Sequence, residues 1–149
     1  MLTMNKRLSA FLGTVVFFSC AGLASAGDDA NQKLADAREF LQQGRVASAV
    51  SSIDVALPSL VASQDYWSAS RGYFQLAVAR GRQNDNRAAC AALSKSLDFY
   101  RKALIRDNLS LEYFGDMASD GSEGSDGMRD VSAKLGCSGS WSAASVKTR

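Results

Sequence analysis

Apolar residues recur at intervals of three and four positions over most of this chain, which is the spacing of one face of an α-helix. The clearest run consists of Val46, Ala49, Val50, Ile53, Ala56, Leu57, Leu60 and Val61. The residues between them are mainly Ser, Ala and Asp. Alternation of apolar and polar residues, the sign of a half-buried β-strand, is found nowhere. The pattern therefore predicts an all-α protein.

Two helices are predicted in the first half of the chain. The first spans residues 33–43 and stops at Gly44, because glycine readily ends a helix. The second begins at Val46. Pro58 is expected to kink or end this helix near Leu57, since proline has no amide hydrogen and clashes with the preceding turn.

A third helix is predicted to restart at the polar residues 63–65, and a polar turn at residues 81–86 separates it from a fourth helix. The fourth helix extends to Arg106, whose charge suits the C-terminal end of the helix dipole. The four helices together form a helical domain over residues 27–114. The short apolar stretch 109–114 is left without an assignment.

The composition changes sharply after residue 114. Residues 115–127 are acidic and rich in Gly and Ser, which predicts a flexible loop. A short C-terminal helix is expected within residues 128–137, with Asp126 capping its start and Gly136 its end. The tail, residues 138–149, is expected to be disordered.

The N-terminal segment 1–26 has the three parts of a secretory signal peptide. Lys6 and Arg7 give a basic start, residues 8–23 are mainly apolar, and residues 24–26 read Ala-Ser-Ala. Cleavage is therefore expected after Ala26, with export to a bacterial periplasm. An uncleaved membrane anchor is the alternative. No later segment is long and apolar enough to span a bilayer.

Three cysteines constrain the compartment and the chemistry. Cys20 leaves with the signal peptide, since the Phe-Phe-Ser before it suits a lipidation site badly. Cys90 and Cys137 remain, and an even number in an exported chain predicts one disulfide. The alternative is a buried free thiol at Cys90, within an alanine-rich run. A catalytic thiol is not expected, because the chain has no histidine to activate it.

The absence of histidine also excludes Ser-His-Asp catalysis, His-ligated zinc and c-type haem attachment. Lys6 and Arg7 account for the basic excess, so the chain after residue 26 has no net charge and nucleic acid is a poor partner. The acidic loop does not follow the EF-hand pattern. Counted from Asp116, its third position is Ala118 and its twelfth is Gly127, and neither can supply a carboxylate. We therefore expect no enzyme activity, no cofactor and no metal.

A weak internal repeat relates the second and fourth helices. The segment from Ala49 to Leu57 aligns with that from Ala89 to Leu97. The first copy, with Ala37-x-x-Phe40 before the Gly44 turn and Ala49-Val50-x-x-Ile53-x-x-Ala56-Leu57 after it, resembles the tetratricopeptide repeat family. The second copy has Arg80 and Asn84 where an aromatic residue and the turn glycine are usual.

The resemblance covers residues 31–104, about half of the chain, and implies two tetratricopeptide-like antiparallel helical hairpins. A short C-terminal helix then caps them. An unrelated helical bundle remains the alternative fold. Two hairpins are fewer than the ~3 repeats that such stacks usually need, so the cap or self-association is expected to cover the exposed face.

In that family the first helix of each hairpin lines a concave groove. Matching its positions one by one predicts a partner-binding groove formed by Arg38, Gln42, Arg71, Phe74 and Arg82. Arginines beside an aromatic ring suit an extended peptide or a carboxylate. The alternative is an ordinary solvated basic face. The aromatic residues of this region, Tyr66, Trp67, Tyr73 and Phe74 itself, are expected to be mainly core.

The resemblance thus implies a non-catalytic periplasmic adaptor that binds another periplasmic or envelope protein. The alternative function is a small helical inhibitor or immunity-type protein that blocks an envelope-directed enzyme. Such an inhibitor is expected to use the acidic loop, through Asp120, Glu123 and Asp126, rather than the groove. A bundle that holds a lipid or small ligand is a third possibility.

Overall fold

The structure is a computed structural model that describes residues 22–109 and 127–137. The described residues form five helices and no strand: α1 (Gly22–Gln42), α2 (Val46–Ala62), α3 (Tyr66–Arg82), α4 (Asn86–Arg106) and α5 (Met128–Leu135). The all-α prediction is confirmed. Most of the predicted signal peptide, the predicted acidic loop and tail, and the unassigned stretch 110–114 lie outside the described residues.

The helices pack in chain order. α1 packs on α2, α2 on α3, and α3 on α4, so that consecutive helices form antiparallel hairpins. The short α5 returns to the second hairpin and contacts both α4 and α3. The predicted arrangement of two helical hairpins followed by a short C-terminal helix is therefore present.

The three turns between these helices share one backbone geometry. Gly44, Gln64 and Asn84 have φ values of 73°, 58° and 60°. Each donates its amide hydrogen to the carbonyl three residues back, and the next residue donates to the carbonyl five residues back. This is the Schellman motif. Its last residue is also the N-cap of the following helix, so each reversal takes only three residues.

Of the two outcomes expected at Pro58, a kink or an end of the second helix near Leu57, the structure excludes the end. α2 continues through Pro58 to Ala62. The proline ring lies on the exposed side of α2, and Leu57 and Leu60 beside it are buried against neighbouring helices. Burial of these two leucines holds the last turn of α2 in place despite the missing backbone hydrogen bond.

Two predicted boundaries also need correction. α1 starts at Gly22 rather than at residue 33, because small residues such as Ala30 are buried in it and give only a weak apolar pattern. The turn after α3 spans residues 83–85 rather than 81–86. Gly81 remains helical and accommodates the side chain of Leu135, whose Cδ2 lies 2.7 Å from where a Cβ would stand.

Small residues bring the helices close together. Ala37, Ala49, Ala77 and Ala89 have no exposed surface and carry no side chain that would hold a neighbouring helix away. Gly72 acts in the same way on α3. A Cβ there would lie 2.9 Å from Leu57 Cδ2 and 3.2 Å from Leu34 Cδ2.

A pair of buried serines joins α3 to α4. Ser70 Oγ donates to the Ser96 carbonyl at 2.9 Å, and Ser96 Oγ donates to the Ser70 carbonyl at 2.8 Å. Both hydroxyl groups thus have hydrogen-bond partners without water, and the pair fixes the position of α3 along α4.

Candidate functional site

The five residues predicted to form the groove do not share one environment. Arg38 and Gln42 are exposed on α1, one helical turn apart, and Arg71 and Arg82 are exposed on α3. Phe74 is half-buried and packs against the cluster formed by α3, α4 and α5. The structure therefore places four of the five side chains at the surface, while the phenylalanine also serves the core.

Arg82 ties the two helices of this surface together. Its Nη1 donates a hydrogen bond to the Leu41 carbonyl near the C-terminal end of α1. At the other end of the surface, Asn31 Nδ2 of α1 lies 3.5 Å from Asp65 Oδ2, the N-cap of α3. α1 and α3 are thus connected directly at both ends, and Gln42 lies next to the bond that Arg82 makes.

Sequence reasoning missed Gln75. It lies four residues after Arg71 and seven before Arg82, and this spacing places all three on one face of α3. Its Oε1 atom is buried and has no hydrogen-bond partner within the described residues. A buried acceptor without a donor is costly, so a ligand that donated a hydrogen bond to this amide, once the side chain turned outward, would relieve that cost. We call Arg38, Gln42, Arg71, Gln75 and Arg82 the α1/α3 face.

Hydrogen bonds shape the electrostatics at one end of this face. Burial alone would raise the pKa of the Asp65 carboxyl. The hydroxyl and the backbone amide of Ser68, the Asn31 amide and the nearby Arg106 charge together lower that pKa below its ordinary value of 3.8. Asp65 therefore stays ionised near neutral pH and stabilises the N-terminus of α3.

The expectation that the aromatic residues are core is confirmed only in part. Trp67 packs edge-on against Tyr100, with ring centroids 5.2 Å apart, and donates its indole hydrogen to Asp107. Tyr66 and Tyr73 are half-buried, and both contact the ring of Phe99 on α4. These three rings form a partly exposed row along the junction of α3 and α4.

An open cleft lies beside this row, between α2 and α4. It has a volume of about 500 Å³, with residues of α3 at its floor. The lining residues are Asp54, Leu57, Pro58, Val61, Ala62, Tyr73, Leu76 and Lys95. No single stretch of sequence could have predicted this cleft, because its lining residues come from three different helices.

A disulfide between Cys90 and Cys137 attaches the chain after α5 to α4, as the sequence predicts. Their Cα atoms are 5.5 Å apart, and the two residues are 47 positions apart in the chain. Gly136, with φ of 68°, ends α5 as expected and turns the chain so that Cys137 reaches Cys90. The N-cap of α5 is Gly127 rather than Asp126.

Among the described residues, no group of three or more Cys, Asp or Glu side chains is arranged to hold a metal ion. None of the described helices has both the length and the apolarity that a membrane crossing requires. No protein-family model, curated protein or solved structure matches this chain.

Proposed function

We propose that this chain is an exported, non-catalytic adaptor that binds a segment of another periplasmic or envelope protein on its α1/α3 face. The observation that carries the proposal is the chemistry of that face. Arg71 and Arg82 are exposed on the same face of α3 as Gln75, whose buried side-chain carbonyl oxygen has no hydrogen-bond partner within the described residues. Guanidinium groups bind carboxylates, and an amide acceptor pairs with a peptide N–H.

The repeated turn supports the tetratricopeptide-like interpretation. Gly44, Gln64 and Asn84 are evenly spaced along the chain, so α2 and α3, each taken with the turn that follows it, span the same length. Positions that align between the two copies are similarly buried. Ile53 and Leu93 both have no exposed surface, and the same holds for Ala49 and Ala89. Stacked helical hairpins of this kind present extended surfaces to partner proteins.

The disulfide supports export. A bond between Cys90 and Cys137 is stable in an oxidising compartment and rare in the cytosol. Fractionation of cells that express the full chain, with the intact mass of the recovered protein, tests this part. A periplasmic protein that begins at Gly27 is the expected result. An intact chain in the cytosol would contradict it.

The adaptor proposal is tested by site-specific cross-linking in cells. A photoreactive residue at position 75 should form one dominant adduct with a second protein, which mass spectrometry then identifies. Arg71→Glu should abolish that adduct, because it reverses a charge on the same face. Arg87→Glu is the matched control, since Arg87 is an exposed arginine on α4.

Equal cross-linking of the two variants would contradict the proposal, as would adducts with many unrelated proteins. A partner that binds Arg71→Glu normally, but not a chain in which Asp120, Glu123 and Asp126 are replaced, would instead support the inhibitor.

A further inference from the structure

The cleft between α2 and α4 lies on the other side of α3 from the α1/α3 face. Tyr73 is two residues from both Arg71 and Gln75, which is about 200° around a helix. Tyr73 and Leu76 form the floor of the cleft. A ligand bound there would therefore not touch the α1/α3 face.

The walls of the cleft are mainly apolar on the α2 side. Leu57, Pro58, Val61 and Ala62 contribute them, and 37% of the Val61 surface remains exposed. α2 and α4 run in the same direction, because each is antiparallel to α3. Two helices above a common floor form the kind of groove in which an amphipathic helix buries its apolar side.

The α4 side of the cleft is basic. Lys95 lines the cleft, with its Nζ 5.4 Å from the centre of the Tyr73 ring. Tyr73 in turn stacks on Phe99, with ring centroids 5.4 Å apart and planes inclined by 5°. Lys102 Nζ lies 4.7 Å from the centre of the Phe99 ring. Contacts with the Tyr73 and Phe99 rings therefore hold both lysine ammonium groups on the α4 side of the cleft.

The charges around the cleft determine which charged groups of a ligand its α4 side attracts. Arg106 is paired with Asp107, with Nε 2.7 Å from Oδ1, so its charge is largely offset. Asp98, which lies between the two lysines on α4, is paired with Arg101, with Oδ1 3.6 Å from Nη1, so these two charges also largely offset each other. Among the described residues, neither Lys95 nor Lys102 forms an ion pair with a carboxylate. Asp54 lies on the α2 side of the cleft. The cleft is thus apolar in the middle, positive along α4 and negative along α2.

We propose that this cleft is a second docking site, which binds an amphipathic helix of a partner protein with carboxylates along its α4 side. Lys95 and Lys102 are seven residues apart, or about 10.5 Å along α4. Two acidic residues spaced seven apart on a helix that lies along α4 match this distance. Apolar residues between them enter the cleft over Tyr73, and a basic residue on the far side faces Asp54.

The test uses the full chain and a dye-labelled helical peptide. The peptide has a leucine stripe flanked by glutamates seven residues apart, and a second peptide has glutamine in place of each glutamate. Fluorescence anisotropy measures the binding of both peptides. The Glu peptide should bind the native chain and lose roughly tenfold in affinity for the Lys95→Glu/Lys102→Glu variant, whereas the Gln peptide should bind both chains equally.

Two further variants test where the peptides bind. Val61→Asp should weaken both peptides, because it places a charge in the apolar wall. Arg71→Glu should change neither, since it alters only the α1/α3 face, so this test and the adaptor test fail independently. Equal binding of the Glu peptide to the native chain and to the double lysine variant would overturn the proposal. So would failure of both peptides to bind, or a dimer of the chain that Val61→Asp dissociates, which would assign the cleft to a second copy.

Discussion

Removal of the Cys90–Cys137 disulfide is the perturbation whose effect follows most directly from the structure. The bond closes a loop of 47 residues and attaches the end of α5 to α4. α5 has only eight residues, which is too short for a helix to be stable alone in water. It contributes Val131 to the core cluster formed by α3, α4 and α5, and it places Leu135 against Gly81. Replacing both cysteines by serine therefore weakens the tether and the docking of α5 together.

The magnitude can be worked out from the loop length. In the chain-entropy model, a closed loop of this size stabilises the folded state by about 4 kcal/mol. For a domain of this size, that loss corresponds to a fall of roughly 15 °C in Tm. Serine is close to cysteine in size, so the change leaves no large cavity. The entropy of the unfolded chain is expected to dominate the effect.

Urea unfolding followed by circular dichroism measures the change in the free energy of unfolding. The oxidised native chain is compared with the Cys90→Ser/Cys137→Ser variant and with the native chain after reduction. The reduced chain and the double variant should have the same midpoint. Reductant added to the double variant should have no effect, which controls for other actions of the reagent.

Amide hydrogen exchange shows where stability is lost. Amides of α5 should exchange much faster in the reduced chain, while those of α2 should lose protection only by the global amount. The reasoning is refuted if reduction shifts the unfolding free energy by less than about 1 kcal/mol, since the loop-closure argument requires several times that. It is also refuted if the amides of α5 stay as protected as those of α4.

Three further substitutions test the packing. Gly72→Val should cost about 1–3 kcal/mol in urea unfolding, because its Cβ would lie 2.9 Å from Leu57 Cδ2; an unchanged midpoint would show that α3 can move away freely. Ser96→Ala should cost about 1 kcal/mol through a lost hydrogen bond between α3 and α4, whereas the exposed Ser94→Ala should cost nothing measurable. Asp65→Ala should cost about 1 kcal/mol near neutral pH by removing an N-cap. Burial raises and hydrogen bonds lower the pKa of the Asp65 carboxyl, to a net value below 3.8, so its contribution is present above pH 3.8 and is lost as the pH falls through the folded-state pKa. An equal cost of this substitution at neutral pH and at pH 2 would contradict this account.

The sequence predicted the features that rest on local periodicity or on simple counting. Most of the apolar stripe of α2 is buried as its spacing indicates, although Val61 is exposed. The pairing of Cys90 with Cys137 follows from the count of cysteines once Cys20 is assigned to the predicted signal peptide. The end of α5 at Gly136 was also predictable, because a left-handed residue after a helix is usually glycine. In each case one short stretch of sequence or a count carried the whole signal.

Other features depend on contacts between distant residues and left no such signal. α2 passes through Pro58 because Leu60 is anchored by other helices, which a local rule for proline does not consider. Gln75 looks like an ordinary surface residue until its carbonyl oxygen is found buried. The row of Tyr66, Phe99 and Tyr73 combines residues of two helices whose relative register only the fold establishes.

The even spacing of the three turns could not be detected in the sequence, because a different residue occupies the same position in each turn. All three turns need a residue with positive φ, and the chain uses glycine at position 44, glutamine at 64 and asparagine at 84. Glycine adopts this conformation without strain, asparagine at a small cost, and glutamine at a larger one. Since the backbone hydrogen bonds are the same in all three, the flanking helices hold Gln64 in this conformation. Replacing Gln64 by glycine should therefore stabilise the fold, whereas replacing Gly44 by glutamine should destabilise it. The urea midpoints of the two variants, each compared with that of the native chain, show whether the strain at a turn depends on the residue with positive φ.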